Sequence, residues 1–142
     1  MSIKQISVFL ENKPGKLSEM TALLAANNID MRALSLAETN DFGIARIIVD
    51  DIYEAANVLR NASFISKFSH VLAFAVPDEP GGLNKLLTCF TEAGINIEYM
   101  YSCLAGAENK KAYMIFRVSD TSEAEAVLAD RGVKALDAEL LD

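Results

Sequence analysis

The sequence has few of the residues from which catalytic and metal sites are most often built. Its 142 residues include one histidine, His70, and two cysteines, Cys89 and Cys103, whose spacing fits neither a CxxC pair nor a disulfide framework. Cys89 falls on the apolar stripe of a predicted helix, where a buried thiol is expected. We therefore expect no catalytic residue, no metal site and no cofactor. Cysteines used in this way are typical of a reducing cytoplasm.

Positive charge and long apolar runs are also scarce. Thirteen Lys and Arg residues stand against twenty Asp and Glu, and the net charge of −7 disfavours binding to a nucleic-acid backbone. No stretch approaches the roughly 20 apolar residues of a membrane span, and MSIKQISVFLENK at the N-terminus has no signal-peptide pattern. These features predict a soluble cytoplasmic protein with no membrane or nucleic-acid partner.

What the sequence does contain is a repeat. KPGKLSEMTALLAANNIDMRALSL at 13–36 matches EPGGLNKLLTCFTEAGINIEYMYS at 79–102, with an offset of 66 residues (80 − 14 for the two prolines). Further on, GIARIIVDDIYEAANVL matches AYMIFRVSDTSEAEAVL with an offset of 69 residues (112 − 43). The second copy therefore has three extra residues within AGAENKK, where Gly and Asn indicate a hairpin turn.

Each copy predicts the element order βαββαβ. Alternating apolar residues indicate the strands, and apolar residues at helical spacing indicate the helices. The last strands are expected near 64–68 and 133–136. Right-handed crossovers then give a four-stranded antiparallel sheet with both helices on one face, the ferredoxin-like plait. No linker separates the copies in FISKFSHVLAFAVP, so we expect domains 1–69 and 70–142 to be rigid neighbours.

The features that both copies share favour a ligand site. Gly15 and Gly81 allow close backbone approach at a helix start, where unpaired N–H groups suit a carboxylate. Asp30 and Asn96 open the next strand, suit an ammonium, and are expected to meet the loops at one end of the sheet. Together these groups predict a site for a free α-amino acid. Pro-Gly turns and Asp or Asn after a helix are also ordinary structural features, so a site without a ligand stays open as an alternative.

The pattern PGGLxxLLxxFxEAGINIEYMYS at 80–102 resembles an ACT domain, a small-molecule-sensing module of amino-acid metabolism, and PGKLxxMTxLLAANNIDM at 14–31 resembles it as well. The likeness covers essentially the whole chain, as in a stand-alone tandem ACT protein. It implies an α/β (α+β) fold in which two plaits pair side by side into one antiparallel eight-stranded sheet with four helices on one face. It also implies a non-catalytic sensor that regulates a partner enzyme or regulator. The amino acid is then bound at the interface of two modules, between the Pro-Gly loop of one module and the strand start of the other.

The resemblance implies ligand-binding residues in both copies. These are Gly15, Lys16, Leu17, Asp30 and Met31 in the first copy, and Gly81, Gly82, Leu83, Asn96 and Ile97 in the second. Because Gly82 leaves its loop open where Lys16 adds a side chain, we expect Gly81 and Asn96 to matter more than Gly15 and Asp30. The alternatives are a structural or dimerising module without a ligand and an enzyme of unrecognised type.

The sheet face away from the helices predicts an assembly. In the second copy the outward positions at 71–75 and 113–117 are largely apolar, and an exposed apolar patch is typical of an interface. We therefore expect a homodimer packed through these sheet faces.

Overall fold

The computed structural model describes residues 2–38, 41–104 and 109–141. Within them the chain is an α+β protein with six strands and four α-helices. The strands are β1 (Ile3–Glu11), β2 (Met31–Glu38), β3 (Phe42–Val49), β4 (Ile65–Pro77), β5 (Tyr99–Ser102) and β6 (Lys111–Arg117). The helices are α1 (Lys16–Ala26), α2 (Ile52–Asn61), α3 (Gly82–Glu92) and α4 (Thr121–Asp130), and a 3-10 turn covers Ala138–Leu141. The turn predicted in AGAENKK falls mainly on 105–108, outside the described residues.

The chain divides into two compact units. The first unit is Lys4–Ser69, and the second is His70–Asp142 together with Met1–Ile3. In the first unit the strands are antiparallel in the order β2-β3-β1. In the second unit the order is β4-β6-β5, again antiparallel.

Each unit buries one face of its sheet under two helices. The first core joins apolar residues of β1 and β3 to α1 and α2, and the second joins β4 and β6 to α3 and α4. Val49 and Val118 pack against these cores, as their predicted inward positions require. The placement of both helices on one sheet face is therefore confirmed for each unit.

The prediction of eight strands is wrong for the described residues, which form six. The predicted last strand of the first copy, at 64–68, and the predicted first strand of the second copy form one continuous strand, β4, of 13 residues. Because no Gly, Pro or polar turn interrupts this segment, nothing stops the extended conformation. Residues 133–137 form no strand, although the Leu136 N–H donates to the Ala73 carbonyl at 2.7 Å. The side-by-side pairing of the two plaits stays a prediction.

The expected apolar patch on the outer sheet face is not exposed. Val71, Ala73 and Ile115 are fully buried in the single chain, and Tyr113 is nearly so. The polar outward residues of β1 are buried as well, and the Gln5 side-chain amide donates to the Ser7 hydroxyl at 3.3 Å. The interface predicted at 71–75 and 113–117 therefore lacks the exposed apolar surface on which it depended.

Candidate functional site

The two Pro-Gly loops start their helices in the same way. Gly15 has φ 88° and Gly81 has φ 84°, the left-handed conformation that glycine adopts without strain. Neither residue offers a side chain to cap the helix, whereas Asp51 and Asp120 accept hydrogen bonds from the first turns of α2 and α4. Helices α1 and α3 therefore begin without the side-chain acceptor that the other two helices possess, and an external carboxylate could supply one.

Gly82 has a structural role that the sequence did not predict. A Cβ atom at Gly82 would overlap the carbonyl oxygen of Pro77, so the glycine lets its own loop close tightly. Lys16 occupies the equivalent position in the first unit, and its ammonium lies 3.5 Å from a Glu19 carboxylate oxygen. Glycine at position 82 therefore also has a structural explanation, and the ranking of the second loop above the first stays a prediction.

The loops and the strand starts lie at opposite ends of each sheet. Glu11, which ends β1, faces Phe42 at the start of β3, whereas Met31, which opens β2, faces Val49 at the end of β3. Seven residues of strand separate these two ends, or roughly 23 Å at ~3.3 Å per residue. The expectation that Asp30 would meet the Pro-Gly loop of its own unit is therefore wrong.

The second unit has the same arrangement. Pro77 faces Lys111 at one end of β6, and Tyr99 faces Arg117 at the other end. Asn96 precedes Tyr99 and therefore lies far from the Gly81 loop of its own unit.

Asp30 and Asn96 are both exposed but have different surroundings. The Asp30 N–H donates to the Asp50 carboxylate at 3.0 Å, and the Asp30 carboxylate pairs with Arg32 at 2.9 Å. Asn96 lines a separate pocket of about 200 Å³ beside the carboxylates of Asp120 and Glu123. This pocket has the charge that an ammonium group requires.

The four apolar residues predicted in the site support the cores. Leu17 and Met31 are partly buried against the first core, and Leu83 and Ile97 pack against the second. Their burial explains their recurrence without a ligand.

Each unit contains a groove beside its Pro-Gly loop that the sequence did not reveal. The first groove has a volume of about 700 Å³ and the second about 310 Å³. The walls of the first groove are Phe9, Leu10, Glu11, Lys13, Lys16, Glu19, Asp41, Phe42, Ala62, Ser63, Phe64 and Ile65. The second groove is lined by Phe74, Ala75, Val76, Pro77, Gly82, Lys85, Leu86, Cys89, Gly132, Val133 and Lys134.

The two grooves are equivalent features of the repeat. Positions 9, 10, 11, 16 and 19 correspond to 75, 76, 77, 82 and 85 with the offset of 66, and positions 63–65 correspond to 132–134 with the offset of 69. At the turn after the second helix, Ser63 and Gly132 both have positive φ, 69° and 82°. The repeat therefore duplicates a cleft as well as a fold.

The rim of the first groove carries both signs of charge. The Lys13 ammonium pairs with the Glu11 carboxylate at 2.8 Å. The hydrogen bond and positive charge of Lys13, together with the weaker field of Lys16, hold the pKa of Glu11 below its ordinary value. The same pair raises the pKa of Lys13. Both groups thus stay ionised around neutral pH.

The described residues contain no cluster of three or more His, Cys, Asp or Glu side chains that could hold a metal ion. No helix in the same ranges is long and apolar enough to cross a membrane.

The repeat, the two cores and the paired Pro-Gly loops agree with a known sequence family. The family model of the ACT domain pair matches residues 1–141. The chain belongs to this family. A search of curated proteins found no match to this chain.

Solved structures with the same architecture include a relative of similar length. Protein BT0572 from Bacteroides thetaiotaomicron is 40% identical to this ACT domain pair, with a TM-score of 0.90, and the alignment covers 99% of this chain and 96% of that one. The ligand-free regulatory subunit of aspartate kinase from Thermus thermophilus is 17% identical, with a TM-score of 0.66 and coverage of 91% and 90%. The corresponding subunit from Thermus flavus is 15% identical, with a TM-score of 0.62 and coverage of 89% and 88%. The two Thermus proteins share the fold with the ACT domain pair.

Proposed function

We propose that the protein is a non-catalytic sensor of amino-acid metabolism that binds a free amino acid. Residues 1–69 and 70–142 are its two ACT domains, and the ligand lies at their interface. The site residues are those of the two Pro-Gly loops and of the strand starts, Asp30 with Met31 and Asn96 with Ile97. The bound state is passed to a partner enzyme or regulator in the cytoplasm.

The observation that carries this proposal is the paired start of α1 and α3. Both helices follow a left-handed glycine and lack a side-chain cap, whereas α2 and α4 are capped by aspartate. A ligand carboxylate is a suitable acceptor for first-turn N–H groups. Membership of the ACT family supports this ligand class, and the regulatory role of the Thermus subunits supports the role of a sensor.

The protein also acts as a homodimer in this proposal. Because the outer sheet residues at 71–75 and 113–117 are largely buried in one chain, the contact uses a different surface. Sedimentation at micromolar concentration, with and without ligand, tests the dimer. A species of 15.5 kDa under both conditions would exclude it.

The alternative function is a structural or dimerising module without a ligand. The burial of Leu17, Met31, Leu83 and Ile97 against the cores favours it, because four of the predicted site residues then have a purely structural role.

A thermal-shift screen of the twenty amino acids at millimolar concentration separates the two functions. A ligand present at ~100 times its dissociation constant adds about 2.7 kcal/mol to the free energy of unfolding. We expect one amino acid, or a small chemical group of them, to raise the melting temperature. A flat response to all twenty would support the structural module.

A further inference from the structure

The first groove has an apolar wall in which two residues, Phe42 and Ile65, are largely exposed, while Phe64 also packs against the first core. Phe42 and Ile65 line it with 53% and 71% of their surface exposed, and Phe9 and Phe64 add two partly buried rings. The second unit has the same fold with Ala75, Lys111, Val133 and Lys134 at these four positions. Exposed apolar residues that the duplicate replaces without loss of the fold indicate a binding role.

The rim of the first groove complements a zwitterion. The Lys16 ammonium and the Glu19 carboxylate lie 3.5 Å apart on the first turn of α1, and both remain substantially exposed. The second groove has Lys85 and Lys134 among its lining residues and no Asp or Glu. Of these two grooves, the first therefore combines both signs of charge with an apolar wall, and the second does not.

The size of the first groove fits a small-molecule site. Its volume of about 700 Å³ lies within the range of roughly 300–1,000 Å³ found for ligand pockets, which are mostly apolar with a few polar groups that fix orientation. All of its lining residues belong to Lys4–Ser69, so one unit supplies the whole groove.

We propose that the first groove is the side-chain pocket of the sensor and that it selects an α-amino acid with a large apolar side chain, aromatic or branched aliphatic. The ligand carboxylate meets Lys16, the ligand ammonium meets Glu19, and the side chain packs against Phe9, Phe42, Phe64 and Ile65. This assignment rests on the proposed sensor function and names its ligand class, and it replaces the site at the domain interface with one that lies within the first unit.

Titration calorimetry with phenylalanine, leucine, serine and glycine tests the ligand class. Burial of a large apolar side chain is expected to make phenylalanine and leucine bind about tenfold to a hundredfold more tightly than glycine. Amide shifts in an NMR spectrum should move at Ser63 and Phe64 when phenylalanine is added. Equal affinities for all four amino acids would overturn the proposed pocket.

Phenylalanine, 3-phenylpropionate and phenethylamine test the zwitterion. Loss of one charged partner is expected to weaken binding by about tenfold or more for each analogue. Glu19→Gln should weaken phenylalanine binding and leave 3-phenylpropionate unchanged. If 3-phenylpropionate binds as tightly as phenylalanine, the groove is a site for carboxylates and the proposal is wrong.

The double variant Phe42→Lys with Ile65→Lys installs the residues of the second unit at two exposed positions. We expect it to fold and to lose at least about tenfold in phenylalanine affinity, because both apolar contacts are removed. Leu104→Lys changes a leucine outside the groove that is 76% exposed, and it serves as the control.

The outcomes separate the two proposals. If wild-type protein binds phenylalanine and the double variant binds it equally well, the groove is not the pocket while the sensor function stands. If no amino acid in the twenty-member screen stabilises the wild-type protein, the sensor function fails and the pocket fails with it.

Discussion

The backbone of Gly82 lies so close to the carbonyl oxygen of Pro77 that a Cβ atom at position 82 would overlap it. Because the obstacle is backbone rather than a mobile side chain, the loop must shift to accept alanine. We expect Gly82→Ala to lower the free energy of unfolding by about 1–3 kcal/mol. Urea denaturation measures the change.

Lys16→Ala is the matched control for that substitution. Lys16 holds the equivalent position in the first unit and already carries a Cβ atom, so alanine should change the stability by no more than about 0.5 kcal/mol. Equal losses at the two positions would contradict the close approach at Pro77.

Asp51 and Asp120 cap α2 and α4 at equivalent positions of the repeat. Each carboxylate accepts a hydrogen bond from the backbone N–H three residues on, at 3.1 Å for Glu54 and 3.0 Å for Glu123. We expect either Asp→Ala variant to lose about 0.5–2 kcal/mol of stability. Either Asp→Asn variant should stay close to wild type, because asparagine caps a helix as well as aspartate does. A large loss with asparagine would indicate that charge, not capping, is what matters.

The ion pair between Glu11 and Lys13 predicts a pH effect of known sign. Because the pKa of Glu11 is lowered in the folded protein, its contribution to stability is present above the ordinary value of 4.5 and is lost as the pH falls through the lowered value. In Lys13→Ala we expect the Glu11 pKa to rise toward 4.5, as measured by an NMR titration of its carboxyl carbon. Lys16→Ala should raise it less, because Lys16 acts only through its charge. An unchanged pKa in Lys13→Ala would refute the pairing.

Phe116 holds together the aromatic part of the second core. Its ring centroid lies 5.9 Å from that of Phe74 and 4.9 Å from that of Phe90, and all three side chains are fully buried. We expect Phe116→Ala to lose about 3–5 kcal/mol, through lost burial and a residual cavity. Phe116→Leu, which keeps most of the apolar volume, should lose clearly less in the same urea experiment. Similar losses of stability for the two variants would argue against a residual cavity as a cause of the loss.

The element order and the inward faces could be predicted from the sequence because they depend on local periodicity. Val49 and Val118 pack inward as alternation predicts. The end of a strand depends on its partners, however, so the absence of a strand at 133–136 could not be predicted from local residues. The burial of Gln5 similarly contradicts its polar, outward pattern.

The site was harder to predict because it is built from distant segments. The left-handed backbone conformation of Gly15 and Gly81, just before α1 and α3, could be predicted because glycine adopts it readily. The position of Asp30 depends on the direction of β2: β1 and β2 both run antiparallel to β3, so β2 starts at the end of the sheet opposite the loop. The first groove joins Phe9 to Ile65, and no short motif spans that separation.

The continuity of β4 sets a limit on how this protein can be cut or extended. The point where one copy gives way to the next, between Ser69 and His70, lies inside a strand of 13 residues rather than in a loop. Cleavage by a protease and insertion of a tag both require a segment whose backbone can give up its hydrogen bonds. Loop tips meet this requirement, whereas strand interiors do not. The boundary between the repeats, normally the natural place to dissect a duplicated protein, is here among its least permissive positions.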